Sequence, residues 1–259
     1  MRKSAILDKN QRPSAEYGPF EKPSSYLLLC LWSLIFFIAS CYALGTQATL
    51  DKAPDLSQPY LQVELVYNYD VYKRPVFFMP KSYPTFSIWV EDDESGYRES
   101  VFVTEKAAKN DWHFADSRPE SVPVWCGIQK FEIENHKFDV DAVSGATPKG
   151  EAAVIYWLIP EALRGKTVDL YIEANNSFDF NRHYHKKKGV PGYSKANGQP
   201  SIIWKASIDF SSKSFENISP EIVGHGNLFG ENHHVIPDTS KITTAAETFQ
   251  AIHISYFIQ

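Results

Sequence analysis

Thr167-Val168-Asp169-Leu170-Tyr171-Ile172-Glu173-Ala174 is the stretch whose reading decides the fold. Val168, Leu170, Ile172 and Ala174 recur every second residue, and Asp, Tyr and Glu stand between them. A two-residue period places the four apolar side chains on one face of an extended chain, whereas a helix would scatter them. Turn signals bound the stretch, with Pro160 and Gly165 before it and an Asn-rich run from Asn175 after it. It reads as a β-strand with one face on a core.

The same pattern recurs outward in both directions. Residues 60–69 alternate with Leu61, Val63 and Leu65 in phase, and residues 85–90 set Phe86, Ile88 and Val90 against Ser87 and Trp89. Across the acidic turn Glu91-Asp92-Asp93-Glu94-Ser95-Gly96, residues 100–104 complete a hairpin. Residues 152–159 are a near-continuous apolar run whose bounding turns favour a buried strand, although its period leaves a helix open. Residues 201–210, 220–225 and 249–258 are further strands, the last with Ile252, Ile254, Tyr256 and Ile258 in phase. Residues 107–121 are a polar excursion, and the apolar, aromatic stretch from Pro123 is expected to pack under the loop at 139–150. Residues 175–199 and 225–244 read as long loops. About eight strands with no amphipathic helix is the pattern of an all-β, two-sheet sandwich.

At 259 residues and 43% hydrophobic content, the chain holds one ordinary domain with appendages, and disorder is not its default. Aromatics at 14% favour strands, and a net charge of −5 gives no support for nucleic-acid binding. Of the three cysteines, Cys30 and Cys41 lie in an apolar N-terminal segment. That leaves Cys126 without an internal disulfide partner, as a small hydrophobe rather than a reactive thiol.

The apolar segment, residues 26–44, carries no charge and is just long enough to span a bilayer. Arg2, Lys3, Lys9, Arg12 and Lys22 outnumber the acids in the tail before it, which keeps the N-terminus cytoplasmic and exports the rest. Three fates are open: a retained transmembrane anchor, favoured by the long tail; a lipoprotein signal, with Cys41 lipidated at the end of Ile38-Ala39-Ser40-Cys41; and a cleaved signal peptide. Each places the body on the extracytoplasmic, periplasmic side, anchored at the inner membrane in the first case. The expected organisation is a cytoplasmic polar tail (1–25), the anchor or signal helix (26–44), a linker (45–59) and an extracytoplasmic β-sandwich domain (60–259).

Between the strands lies Asp141-Ala142-Val143-Ser144-Gly145-Ala146-Thr147, followed by Pro148-Lys149-Gly150. Small residues, a Gly and a Pro describe an exposed turn with the Thr147 hydroxyl at its tip, its backbone bonded by Asp141 and Ser144. The stretch resembles the covalent flavin-attachment motif of extracytoplasmic flavoproteins, Asp-x-x-Ser/Thr-Gly-Ala-Thr, at all five specified positions: Asp141, Ser144, Gly145, Ala146 and Thr147. That resemblance implies FMN esterified to Thr147 by a flavin transferase, with a periplasmic or membrane redox protein as electron partner. The chain departs from those flavoproteins directly afterwards, where they continue with a hydrophobic residue and Thr-Ser. Over residues 85 to about 210 it also resembles a bacterial periplasmic family, domain of unknown function 2271. The shared marks are Ser87-Ile88-Trp89-Val90-Glu91-Asp92, Val122-Pro123-Val124-Trp125, Asp141 to Gly150, and Glu173-Ala174-Asn175-Asn176-Ser177-Phe178-Asp179-Phe180-Asn181. That resemblance implies an immunoglobulin-like sandwich outside the cytoplasm and no particular activity.

Other constellations read more blandly. His183 and His185, joined by His225, His233 and His234, would be a zinc or copper set. No carboxylate or cysteine stands at a recognised ligand spacing, however, and Lys186-Lys187-Lys188 would repel a cation, so no metal site is assigned. The acidic turn lacks calcium-loop spacing and reads as a solvated hairpin tip. Residues 175–181 read as a bend, with a ligand groove lined by Phe178 and Phe180 as the alternative. No Gly-rich phosphate loop, Ser/His/Asp elbow or zinc-protease pattern is present. Two main readings result: a flavin carrier or accessory in electron transfer, and a non-catalytic binding or scaffold module whose Ser-Gly-Ala-Thr is a structural turn.

Overall fold

A computed structural model describes residues 57–75, 77–112, 115, 117–211 and 213–258. The polar tail, the apolar segment with Cys41, and most of the linker lie outside the described residues. Among the described residues no helix is long and apolar enough to cross a membrane.

The alternating stretches are strands. A four-stranded sheet runs in the order β5 (Ala152–Leu158), β1 (Tyr60–Tyr67), β10 (Phe249–Phe257), β8 (Phe215–Ile218). Its inward face follows from register: Leu61 lies opposite Trp157 and Tyr256, Val63 opposite Ile155 and Ile254, Leu65 opposite Ala153 and Ile252. A six-stranded sheet runs β4 (Ser144–Gly145), β3 (Tyr97–Thr104), β2 (Thr85–Asp92), β6 (Thr167–Asn175), β7 (Ile202–Asp209), β9 (Glu221–His225). Leu170 and Ile172 of β6 pair with Val90 and Ile88 on one side and with Ala206 and Trp204 on the other. These rows meet Leu61, Val63 and Leu65 across the gap between the sheets and form the main core. The chain is thus an all-β sandwich of two sheets. The two strands that periodicity missed, β4 and β8, have two and four residues, too few for a period to declare itself.

One expectation is corrected. Beyond Pro123 the chain forms a 12-residue helix, α2 (Pro123–Glu134), between the short α1 (Glu105–Ala108) and α3 (Val140–Val143). Pro123 sits in the first turn, where a missing N–H costs nothing. Val124, Trp125, Ile128 and Glu132 form its buried face. They lie on the outer side of the six-stranded sheet, against Trp89, Val103 and Ile203. Ser87 and Trp89, out of phase with the main core, are therefore also fully buried, and the sheet is covered on both faces near the helix. Trp89 stacks on Tyr171 at 5.2 Å. Gly127, in mid-helix, admits the loop after β9, since a Cβ there would lie 2.7 Å from His233 Cβ. Ile258, expected in phase with the core, is 43% exposed at the strand's end.

Candidate functional site

The motif is pinned at both ends. Asp139 caps α3, its Oδ1 accepting from the N–H groups of Asp141 and Ala142 at 3.1 and 3.3 Å. Asp139 therefore does the loop bonding expected of Asp141, whose side chain is 85% exposed and lies 3.8 Å from Lys109 Nζ. Ser144 and Gly145 do not form a free turn. They pair as a parallel edge strand with Val103 and Thr104. Gly145 packs closely there, since a Cβ would lie 3.0 Å from the Phe102 ring, which would have to shift by a few tenths of an ångström.

Past Thr147, Tyr67 OH donates to Pro148 O at 3.0 Å. Tyr83 OH accepts from the Gly150 N–H at 3.1 Å and donates to Gly150 O at 3.3 Å. The two rings belong to a cluster with Tyr72 and Tyr69, with neighbouring centroids 5.1 to 6.1 Å apart. Burial, reinforced by Tyr83, pushes the Tyr67 phenol well above its usual range.

Between these anchors Thr147 is half-buried in the wall of a cleft of about 300 Å³, a correction to its expected place at an exposed tip. Lys81, Lys106, Arg118 and Lys149 line this cleft with Tyr83, Trp112 and Phe178, and among the described residues no carboxylate does. Phe178 was a candidate groove residue by sequence; its partner in that reading, Phe180, is not among the lining residues. The cations and Trp112 escaped sequence reading because they come from separate segments with no common spacing. A second depression, of about 460 Å³, lies beyond Tyr83, but its lining includes Asp70 and Glu151. Those charges are the wrong sign for a phosphate.

Arg118 is the most constrained group in the cleft. It is 8% exposed, with Nη1 donating to Ser177 Oγ and Nη2 to Asn197 Oδ1, each at 3.1 Å. Its guanidinium lies 4.7 Å from the Trp112 ring centroid. Burial lowers its pKa and Glu120 opposes the shift, but a guanidinium stays charged at any ordinary pH.

The remaining candidates do not converge. Among the described residues no group of three His, Cys, Asp or Glu could hold a metal ion. His183 and His185 lie in the 175–199 loop, His225 and His233 turn a ring nitrogen to the carbonyls of Gly226 and Pro123, and His234 is exposed. Asp92 organises the acidic turn. It accepts from the N–H groups of Glu94 and Ser95, the Ser95 hydroxyl and Lys166 Nζ, and bonds to Ser95 and Lys166 hold its carboxyl at about 2. Cys126 is partly buried, and burial, then Glu173 and Glu120, pushes its thiol up to about 12. Comparison of the chain with protein-family models, curated proteins and solved structures finds no match.

Proposed function

We propose that the protein is a membrane-anchored, extracytoplasmic carrier of FMN, esterified to Thr147 and serving electron transfer, on an immunoglobulin-like sandwich. The observation that carries this reading is the setting of Thr147: a half-buried hydroxyl in the wall of a cleft whose charged lining residues, among those described, are all cations. A phosphodiester keeps one negative charge, and Lys149, two residues away, with Lys81, Lys106 and Arg118, gives it a complementary field. Tyr83, Trp112 and Phe178 offer rings of the size a flavin stacks on. When bound, the isoalloxazine supplies the electron chemistry, and the chain supplies position and charge.

An alcohol esterifies a phosphate only from an activated donor, so the flavin comes from its dinucleotide anhydride, FAD, through a transferase. The Thr147 Oγ1–P bond forms, the pyrophosphate P–O bond breaks, and adenylate leaves while a base takes the hydroxyl proton. Asp139, capping α3, and the Ser144–Gly145 edge strand hold the segment in place for that attack.

The test is in-gel fluorescence of the denatured full chain after co-expression with a flavin transferase. The wild type should give a fluorescent band and Thr147→Ala a dark one, with intact mass reporting flavin, lipid and signal processing together. A dark wild-type band leaves the second reading, a binding or scaffold module. The packing of Gly145 against Phe102 favours that reading by giving the motif glycine a packing role of its own.

A further inference from the structure

Esterification at Thr147 uses the charge of Arg118 but does not account for its burial. Desolvating a guanidinium costs several kcal/mol unless the charge is compensated. Here both terminal nitrogens bond to neutral acceptors, Ser177 Oγ and Asn197 Oδ1, which fix orientation without cancelling charge. Among the described residues the buried Nε has no hydrogen-bond partner, and Glu120 Oε1 stands 4.0 Å from it. The guanidinium is braced against Trp112, and both line the cleft shared with Thr147. Lys106 and Lys149 are exposed at the same cleft. In a chain of net charge −5, the described residues around these roughly 300 Å³ include four cations and no carboxylate, a local reversal of sign.

We infer that the cleft is a non-covalent receptor for a planar aromatic ring carrying a phosphate ester. Arg118, Lys106 and Lys149 take the anion, and Trp112 and Tyr83 flank the ring. A planar guanidinium locked by side-chain acceptors is suited to an oxyanion, and loses little freedom when one arrives. The receptor is complete without any modification of Thr147, so it goes beyond the flavin reading. A flavin tethered at Thr147 is one source of such a ligand and a free aromatic phosphate is another.

The experiment uses the full chain in detergent, with Thr147→Ala to prevent esterification, and titrates FMN and riboflavin, which differ only by the phosphate. FMN should bind at least about tenfold more tightly than riboflavin, with the gap narrowing as salt rises. Arg118→Gln should cost FMN about tenfold or more. Because Arg118 also ties loops together, Lys106→Gln and Lys149→Gln provide the second arm. These exposed changes should weaken FMN several-fold and leave riboflavin unmoved. Equal affinity for the two flavins, or lysine variants that bind FMN like their parent, overturns the receptor. A dark wild-type gel band with tight FMN binding by the Ala variant removes the ester and keeps the receptor. Where the wild-type band is fluorescent, loaded protein that excludes free FMN identifies the tethered flavin as the occupant, and loaded protein that still binds it identifies a free ligand.

Discussion

Glu173 has no solvent exposure, yet its carboxylate reaches across from β6 to the first turn of α2. It accepts from the N–H groups of Val124 and Trp125 at 3.3 and 2.8 Å and from Ser201 Oγ at 2.6 Å. Gly226 beside it leaves no space for a side chain, since a Cβ would lie 2.4 Å from Ser201 Oγ. Burial outweighs these bonds and lifts the carboxyl from 4.5 to about 7. The unfolded chain thus releases this proton at lower pH than the folded one. The contribution to stability is fully present below about 4.5 and is lost as pH rises towards about 7. Thermal midpoints of the wild type should fall between about pH 5 and pH 7.5, and fall less in Glu173→Gln. The residual slope would belong to Glu99, Glu132 and Asp179, each also raised by burial. Glu173→Ala, which orphans the helix N–H groups, should cost about 1–3 kcal/mol in denaturant unfolding. A stability profile flat across this range in the wild type would contradict the protonated assignment.

Among the elements, α2 gives the sharpest test, because a general rule and this packing predict opposite signs. Gly→Ala within a helix ordinarily stabilises by up to about 1 kcal/mol. At Gly127 the new methyl would meet His233 Cβ at 2.7 Å, in the loop whose His233 Nδ1 bonds to Pro123 O at 2.8 Å. Gly127→Ala should therefore destabilise by about 1 kcal/mol or more, and hydrogen exchange should show the loop after β9 loosened. A stabilised variant with an unchanged loop would show that the contact yields easily. The element also shows where sequence reading stops. Pro123, Val124, Trp125 and Ile128 announce an apolar segment, but they share it with Gly127, a poor helix residue, and with no side-chain cap of their own. The capping carboxylate lies 48 residues further along, on another strand, so no local pattern marks the helix start.

At the scale of the whole molecule, the six-stranded sheet belongs to two cores at once. Phe86, Ile88 and Val90 face the sandwich interior, while Trp89 and Ile203 face α2. With β2, β6 and β7 shared, the two cores are expected to open together. Near-ultraviolet dichroism, to which pairs such as Trp89 and Tyr171 contribute, should be lost at the same denaturant midpoint as far-ultraviolet dichroism. An earlier loss of the near-ultraviolet signal would make the helical layer a separate unit. Most strands and their main-core faces were legible in the chain, because alternation in residues 60–67 is a local consequence of one buried face, whereas the burial of the second face of residues 85–90 under α2 leaves no mark in it. The motif residues 141–147 were also plain in the chain. Tertiary structure alone decided that Thr147 lines a cleft, that Asp139 rather than Asp141 holds the loop, and that Lys81, Lys106, Arg118 and Lys149 line that same cleft. Periodicity records which side of an element is buried, whereas a cleft is made by strand register and loop closure, which bring together residues that carry no common period.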